Sequence, residues 1–211
     1  TGTKVSPWAT IEKALSEAAS GCINITAGTY DIASTLYVPV NITLQGVGNT
    51  TIIRATLTSG NMIGLFSNNE NTSGNQEIRN IKFDGNSKIG ASGIKVTRRS
   101  NVKIHHCEFV NFVNMGVRID GSDDSLEPVL HAENNSVNNC KFLECSTSYP
   151  GLGYATGCIE FSGQKNFSCY SNIITDLAGQ GIKSVSGWNK GVKIYDNIVK
   201  VGDNLLTWHF A

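Results

Sequence analysis

The sequence predicts an all-β solenoid, in which the chain coils into a parallel β-helix behind one N-terminal capping α-helix. Three observations lead to this fold class: a repeated line of alternating apolar and polar residues, a composition rich in turn-forming residues, and a single amphipathic helical segment that precedes every copy of the repeat. The 211 residues include 22 Gly and 22 Asn, and only 16% are charged. Globular proteins average about 25% charged residues, so this composition favours strands and turns over helices.

The repeat is clearest in "NVKIHHCEF" (101–109), which has four further copies along the chain. In each copy an apolar residue is followed three positions later by Ile, Cys or Asn, and two positions after that by another apolar residue. Equivalent residues in successive copies lie 26, 33, 32 and 25 positions apart. The three columns are Ile78, Ile104, Val137, Cys169 and Ile194; Ile81, Cys107, Cys140, Asn172 and Asn197; and Phe83, Phe109, Phe142, Ile174 and Val199.

A second line follows each of the first four copies and reads Gly, apolar, any residue, then apolar or small. Its copies are "SGIKV" (92–96), "MGVRI" (115–119), "TGCIEF" (156–161) and "QGIKSV" (180–185). Such short strands cannot bury an apolar face alone, but coils stacked about 4.8 Å apart would place equivalent residues above one another inside a tube. We therefore expect an internal Phe stack, and an inward-facing Asn172 bonded to Asn197 of the next coil.

The N-terminal segment "SPWATIEKALSEAASG" (6–21) predicts the capping helix over 7–21. Ser6 is the expected N-cap, Pro7 the first helical residue and Gly21 the residue that ends the helix. A helix there would cover the first exposed strand edge of the solenoid. We expect one domain over 1–211, with the coils in 22–211, and we interpret the chain as a segment of a longer protein.

Composition and charge argue against several classes of function. The 17 basic and 17 acidic residues balance, which gives no indication of a nucleic-acid partner, and no apolar run approaches the ~20 residues that span a bilayer. The six cysteines lack the CxxC spacing of zinc sites. Cys107 and Cys140 share one column, which leaves two alternatives open: a strained disulfide or a pair of buried free thiols.

Six N-x-S/T sequons are candidates for N-glycosylation, about two more than the composition would produce by chance. They begin at Asn24, Asn41, Asn49, Asn71, Asn134 and Asn166. Together with the absence of metal-type cysteine spacing, they favour an extracellular or cell-surface location.

The segment "GTKVSPWATIEKALSEAASGCINITAGTYDI" (2–32) resembles the opening of the pectate-lyase-like right-handed parallel β-helices, and "ITLQGVGN", "TTIIRA" and "IKFDGN" are similar to the segments that follow it in that superfamily. The superfamily includes polysaccharide lyases, mannuronan epimerases, rhamnogalacturonases and phage tailspike depolymerases. The resemblance implies a right-handed coil. It also implies a substrate groove along the outer face of the sheet that the Gly-apolar-x-apolar line forms.

The outward residues of that line are Lys95 and Arg118, then Ile159 or, if the line slips by one residue, Glu160, and finally Lys183. At about 6 Å in water, Lys95 and Arg118 would repel by roughly 0.7 kcal/mol, and the same positive charge would attract anionic sugars. Lyases of this fold use a Lys or Arg to abstract the proton α to a uronate carboxylate. The resemblance therefore makes Lys95, Arg118 and Lys183 the catalytic candidates, with solvent-exposed strand residues as the alternative reading.

Acidic and aromatic residues near the same line are candidates for binding substrate. Asp120, Asp123 and Asp124 lie in "RIDGSDDSLEP" (118–128), where they would contact substrate or hold calcium, the one candidate cofactor; the alternative is a solvated turn. Tyr149 and Tyr154, in "STSYPGLGYATG" (146–157), would form a lip that stacks on sugars, or only a long loop.

His105 and His106 are expected to face opposite ways, because neighbouring residues of a strand alternate between its faces. One of the two imidazoles would then be buried and hydrogen-bonded in the core.

Two classes of function follow. In the first, the protein is an extracellular carbohydrate-active β-helix that binds or cleaves an acidic polysaccharide, as a polysaccharide lyase or a glycoside hydrolase. In the second, it is a structural or adhesive module of a glycosylated surface or filament protein. A homo-oligomer or filament would then form through the C-terminal end, where "NLLTWHFA" shows no cap.

Overall fold

A computed structural model describes most of the chain, namely residues 2–3, 5–67, 72–88, 90–121, 131–146, 156–175, 179–185, 188–201 and 204–205. The helix α1 spans Ile11–Glu17. The strands that follow are β1 Gly21–Asn24, β2 Gly28–Ile32, β3 Leu36–Tyr37, β4 Ile42–Ala55, β5 Ser59–Phe66, β6 Thr72–Ser73, β7 Glu77–Asp84, β8 Gly90–Thr97, β9 Arg99–Ser100, β10 Lys103–His105, β11 Glu108–Phe112, β12 Val117–Asp120, β13 Ala132–Glu133, β14 Ser136–Asn138, β15 Lys141–Cys145, β16 Gly157–Ser162, β17 Gln164–Lys165, β18 Ser168–Tyr170, β19 Ile173–Thr175, β20 Gln180–Ser184, β21 Lys193–Tyr195, β22 Ile198–Val201 and β23 Asn204–Leu205.

The strands pair coil upon coil. Strands β10, β11 and β12 belong to one coil, and each pairs in parallel with its counterpart on the next coil, β14, β15 and β16. The result is a 13-stranded sheet in which β7 pairs with β4, β10 and β11, a six-stranded sheet in the order β20-β16-β12-β8-β5-β3, and two small two-stranded sheets. The chain is a right-handed parallel β-helix with an N-terminal helix, which confirms the predicted fold class.

The repeated apolar columns form the core. Phe109 lies opposite Phe83 on the preceding coil and Phe142 on the following one. The ring centroids are 5.2 and 4.8 Å apart, and the planes differ by 17° and 7°. All three rings are buried, as are Ile104 and its neighbours in the first column. The predicted internal Phe stack is therefore confirmed, and it continues through Ile174 into Val199.

The inward asparagines bond from coil to coil, as predicted. The Nδ2 of Asn172 donates to Oδ1 of Asn197 at 2.9 Å and to the Val137 carbonyl at 3.1 Å. Its Oδ1 accepts the backbone N–H of Cys140 at 3.0 Å. Asn172 is fully buried, so these bonds satisfy polar atoms that no water reaches.

The capping helix is shorter than the predicted range 7–21. Thr10, not Ser6, is the N-cap, and its Oγ1 accepts the N–H of Lys13 at 3.2 Å. Ser6 instead pairs with Thr3 in a short antiparallel bridge. Helix α1 buries Ile11, Ala14 and Leu15, and it ends before Ala18, whose backbone is extended. Two residue types favoured at N-caps compete in this segment, and Thr10 is the one directly before the first buried helical residue.

No disulfide links the cysteines, all six of which are described and free. Of the two alternatives for Cys107 and Cys140, the structure shows the pair of buried thiols. Burial, and after it the hydrogen bond to Cys140, raises the pKa of Cys107 well above its usual range.

Within the described part of the chain, no helix has the length and apolar character needed to cross a membrane.

Candidate functional site

The outer face of the six-stranded sheet carries one row of residues in register across five coils. On four of the five strands the residues before and after the row are apolar and face the core, as Ile94 and Val96 do around Lys95, so the middle residue faces outward. On β20 the partly buried Ile182 precedes Lys183, and the exposed Ser184 follows it. The row consists of Gly64, Lys95, Arg118, Glu160 and Lys183. All three predicted catalytic candidates therefore lie on one face, with Lys95 and Arg118 on adjacent coils.

The coil between Arg118 and Lys183 contributes Glu160 rather than Ile159. Ile159 lies opposite Val117 and Ile182 and is buried. The one-residue slip that the sequence left open is the observed register, because "TGCIEF" has an extra residue between its Gly and its outward position. Cys158 consequently takes the coil position that Gly116 has on the preceding coil. Gly116 has no room for a side chain, since a Cβ there would lie 2.8 Å from the ring of Phe142.

Asp120 lies two residues beyond Arg118 on the same outer face and joins the two cations of adjacent coils. The Nε of Arg118 donates to both Asp120 oxygens, at 2.9 and 2.8 Å, and Nζ of Lys95 lies 3.8 Å from Oδ2. Ser162 of the next coil donates to Oδ1 at 3.0 Å. The Asp120 side chain is only 2% exposed. The expected repulsion between Lys95 and Arg118 is thus offset by a buried carboxylate between them.

Glu160 also belongs to this candidate site, although the sequence suggested it only as the alternative to Ile159 in a slipped register. Its side chain is 4% exposed, and its Oε1 accepts the backbone N–H of Gly157 at 2.8 Å. Nη1 of Arg118 lies 3.6 Å from Oε2, and Nζ of Lys183 lies 4.0 Å from Oε1. The signal in the sequence was a single Glu between the apolar residues Ile159 and Phe161.

The two buried carboxylates and three cations form one ionic cluster, which we call the cationic face: Lys95, Arg118, Asp120, Glu160 and Lys183. When all five groups are ionised, three positive charges exceed two negative ones. The acids are buried and the cations are the partly exposed members, so the surface presented to solvent is positive. Such a surface is suited to binding carboxylates, because Arg binds them through planar, paired hydrogen bonds.

Several predicted site residues lie outside the described residues, namely Asp123, Asp124, Tyr149, Tyr154 and the sequon Asn71. The other five sequon asparagines are described and exposed. Asn134 and Asn166 belong to a ladder at one corner of the coil, where the Nδ2 of each donates to Oδ1 of the preceding rung at 3.3 Å.

Calcium fits poorly on the described part of this face. No group of three or more His, Cys, Asp or Glu side chains that could hold a metal occurs among the described residues. Asp120 and Glu160 already contact Arg118 and two lysines, whereas calcium sites are built from oxygen ligands. The described carboxylates therefore orient cations of the protein.

The expectation for His105 and His106 was wrong. His106 has a left-handed backbone (φ 54°), which breaks the strand alternation, and it is exposed. The two Nδ1 atoms lie 2.8 Å apart, and Nε2 of His105 lies 2.7 Å from Oε1 of Glu77, all on the outside of the 13-stranded sheet. Neither imidazole is part of the core.

Comparison with known proteins agrees with this architecture. The fold defines the chain as a pectate lyase-like β-helix. A family model described as "Rhamnogalacturonase A/epimerase, pectate lyase-like" matches residues 7–204, so the chain belongs to that family. A comparison with curated protein sequences gives no significant match.

Three solved structures illustrate the similarity of the fold, each aligned over 89% of this chain. A candidate glycosyl hydrolase from Parabacteroides merdae has a TM-score of 0.61 at 14% identity, with 86% of its chain covered. PfbA, a surface adhesin of Streptococcus pneumoniae, has a TM-score of 0.65 at 15% identity, and this chain spans 51% of it. An alginate lyase from Paenibacillus sp. has a TM-score of 0.56 at 16% identity, with 72% covered. At such identities the likeness concerns the fold alone.

Proposed function

We propose that the protein is an extracellular carbohydrate-active β-helix that binds an acidic polysaccharide along the cationic face and cleaves it. The observation that carries this proposal is the row that holds three cations within four successive coils, oriented by two buried carboxylates. An extended polymer laid along the solenoid axis would pass Lys95, Arg118 and Lys183 in turn. Membership of a family named for polysaccharide-acting enzymes supports the same class of ligand.

In a lyase reaction, the residues of the cationic face would have two roles: binding the substrate carboxylate and abstracting the α-proton. A guanidinium keeps its proton at any working pH, so Arg118 would bind the uronate carboxylate and stabilise the charge that develops on it. Of the three catalytic candidates, Lys95 and Lys183 are better suited than Arg118 to abstract the neighbouring α-proton, because an amine loses its proton more readily than a guanidinium does. The proton α to the carboxylate would pass to a neutral lysine Nζ, and the electrons of the broken C–H bond would form the C4=C5 double bond. The C4–O bond would break, and the leaving sugar oxygen would take a proton from water. In hydrolysis, by contrast, Asp120 and Glu160 would be the carboxylate pair.

The test is to incubate the protein with polygalacturonate, alginate and neutral dextran, with and without added calcium. We expect binding to the two uronate polymers and not to dextran, and a rise in ultraviolet absorbance from unsaturated ends if the reaction is elimination. New reducing ends without that absorbance would instead indicate hydrolysis.

Variants locate the site. Lys95→Ala and Lys183→Ala should each weaken uronate binding about three- to tenfold, as expected for the loss of one partly exposed charge contact. Lys103→Ala is the matched control, because Lys103 is exposed on the outer side of the 13-stranded sheet. Circular dichroism would check that each variant is folded. Equal affinities for all three variants would remove the cationic face from the proposal.

The alternative is a structural or adhesive module of a glycosylated surface or filament protein. Two observations favour it: the likeness in fold to a surface adhesin, and the engagement of both carboxylates in ion pairs. Binding of uronate polymers without any new chain ends would support adhesion. Oligomers or filaments through the C-terminal coil would be seen by light scattering and electron microscopy, and attached glycans by mass spectrometry of the protein from its native source.

A further inference from the structure

Arg98 has a backbone conformation that is unfavourable for its residue type. It directly follows β8, and its φ is +55°. Thr97 lies opposite Asp120, which lies opposite Ser162, so Arg98 has the coil position held by Gly121 and then Gly163 on the following coils. Gly163 has nearly the same φ, +57°. Glycine adopts this left-handed conformation without strain, whereas an arginine Cβ meets the backbone there.

The side chain of Arg98 carries a second cost. Its Nε is buried and has no hydrogen-bond partner. A buried donor that has lost its water and gained no acceptor is unfavourable, and a group with delocalised positive charge more so. The left-handed backbone serves the turn at this position of the coil, but no contact of the described structure accounts for an arginine there. The left-handed backbone and the buried, unpaired Nε both belong to Arg98. Residues with strained backbones are concentrated at functional sites, including sites that bind ligands.

The position of Arg98 connects it to the cationic face. Its backbone N–H donates to the carbonyl oxygen of Asp120 at 2.9 Å. The carboxylate of that same Asp120 contacts Arg118 and Lys95. Arg98 also lies three residues after Lys95 on the same chain segment. It therefore stands at the edge of the face, where the strands of the six-stranded sheet end. Because Arg98 is only partly buried, a ligand has access to it.

We propose that Arg98 is a further substrate-binding residue, whose guanidinium takes a carboxylate of the acidic polysaccharide at this edge of the cationic face. The inference rests on the proposed function and adds an edge subsite to it. The ligand carboxylate would bind the guanidinium from the solvent side, and its negative charge would offset the cost of the buried Nε that has no acceptor in the free protein. The proposed ligand contact gives a reason for an arginine, despite its strained backbone, at a coil position where the next two coils have glycine.

The test uses substitutions that relieve the strain while they remove the charge. Asparagine and glycine both accept a left-handed backbone, so Arg98→Asn and Arg98→Gly should fold with a melting temperature equal to that of the wild type or about 2–4 °C higher. Affinity for polygalacturonate or alginate, measured by isothermal titration calorimetry, should fall about tenfold in both. Arg98→Lys keeps the charge without the planar fork and should lie between wild type and Arg98→Asn.

Glu144→Gly is the matched control, because Glu144 also has a left-handed backbone (φ 52°) and is exposed, but lies on β15 of the other sheet. It should show the same gain or neutrality in melting temperature with undiminished affinity. Arg98→Asn that binds as tightly as the wild type, while Lys183→Ala binds weakly, would overturn the inference and leave the proposed function standing. A clear loss of stability in Arg98→Asn would also overturn it. Absence of uronate binding by the wild-type protein would instead remove the proposed function.

Discussion

Asparagine, the joint most frequent residue, has two distinct roles in this solenoid. At one exposed corner, Asn41, Asn75, Asn101, Asn134 and Asn166 all have left-handed backbones with φ between 48° and 59°. Asparagine tolerates this conformation better than most residues, so it allows the chain to turn a corner without glycine. Inside the tube, Asn172 and Asn197 replace apolar residues in a core column and satisfy each other. The column pattern predicted the inner pair, but no sequence pattern revealed the left-handed corners.

The buried thiols should make the free energy of unfolding decrease at alkaline pH. Burial raises the pKa of both Cys145 and Cys169 to about 12, whereas an unfolded thiol has a pKa near 8.5. Between these values the folded state keeps protons that the unfolded state releases. The unfolded state therefore binds fewer protons, and the free energy of unfolding falls as the pH rises.

We predict that the free energy of unfolding is nearly flat from pH 7 to 8 and falls above pH 9, by up to about 1.4 kcal/mol per pH unit for each such thiol. Urea unfolding at pH 7.5, 9 and 10 measures it. The double variant Cys145→Ala, Cys169→Ala should show a shallower slope, whatever its stability at pH 7.5. Identical slopes in the variant and the wild type would show that the buried thiols do not cause the dependence.

The strands are fixed in place mainly by the stacked columns of buried side chains that they share with neighbouring coils. Most have only two to five residues, which is too short to be stable alone. Each gains its stability by placing one or two side chains in a stack shared with the coils on either side. The register of β16 shows how firmly the columns decide: Phe161 and Ile159 enter the core, and Glu160 faces out, although the Gly that starts the line would suggest otherwise.

The Phe stack should therefore respond strongly to truncation at its centre. Phe109→Ala removes a fully buried ring that packs on both Phe83 and Phe142, so we expect a loss of about 3–5 kcal/mol in the free energy of unfolding. Urea denaturation would measure it. Phe66→Ala is the control, because the Phe66 ring is half-buried and touches Tyr37 edge-on at 5.6 Å, and it should cost clearly less. Equal losses would mean that coil-to-coil stacking adds little.

In the molecule as a whole, the cationic face is assembled from distant parts of the chain. Ser162 bonds to Asp120 across 42 residues, and Lys183 contacts Glu160 from the next coil. The coil brings such residues within hydrogen-bonding distance because it returns to the same face after every turn. Since each coil contacts only its neighbours, stability should also be graded along the axis.

We predict that amide hydrogen exchange is slowest in the central strands β7, β10 and β11 and fastest in β21 and the helix α1. Central strands have parallel partners on both sides, whereas β21 pairs only with β18 among the described strands. Exchange followed by mass spectrometry on peptides from the intact protein would test this. Uniform protection along the axis would point to one cooperative unit instead of a gradient.

The periodic pattern of apolar residues was sufficient to predict the parallel coil, the Phe stack, the inward asparagines and the common face of Lys95, Arg118 and Lys183. Burial of apolar side chains acts on every copy of a repeat alike, so it leaves a period that can be read along the chain. Only the tertiary structure decided the β16 register, the pairing of Asp120 and Glu160 with the cations, the short helix with its Thr10 cap and the strained backbone of Arg98. These features depend on single contacts between residues far apart in sequence or on one backbone torsion, and neither produces a period.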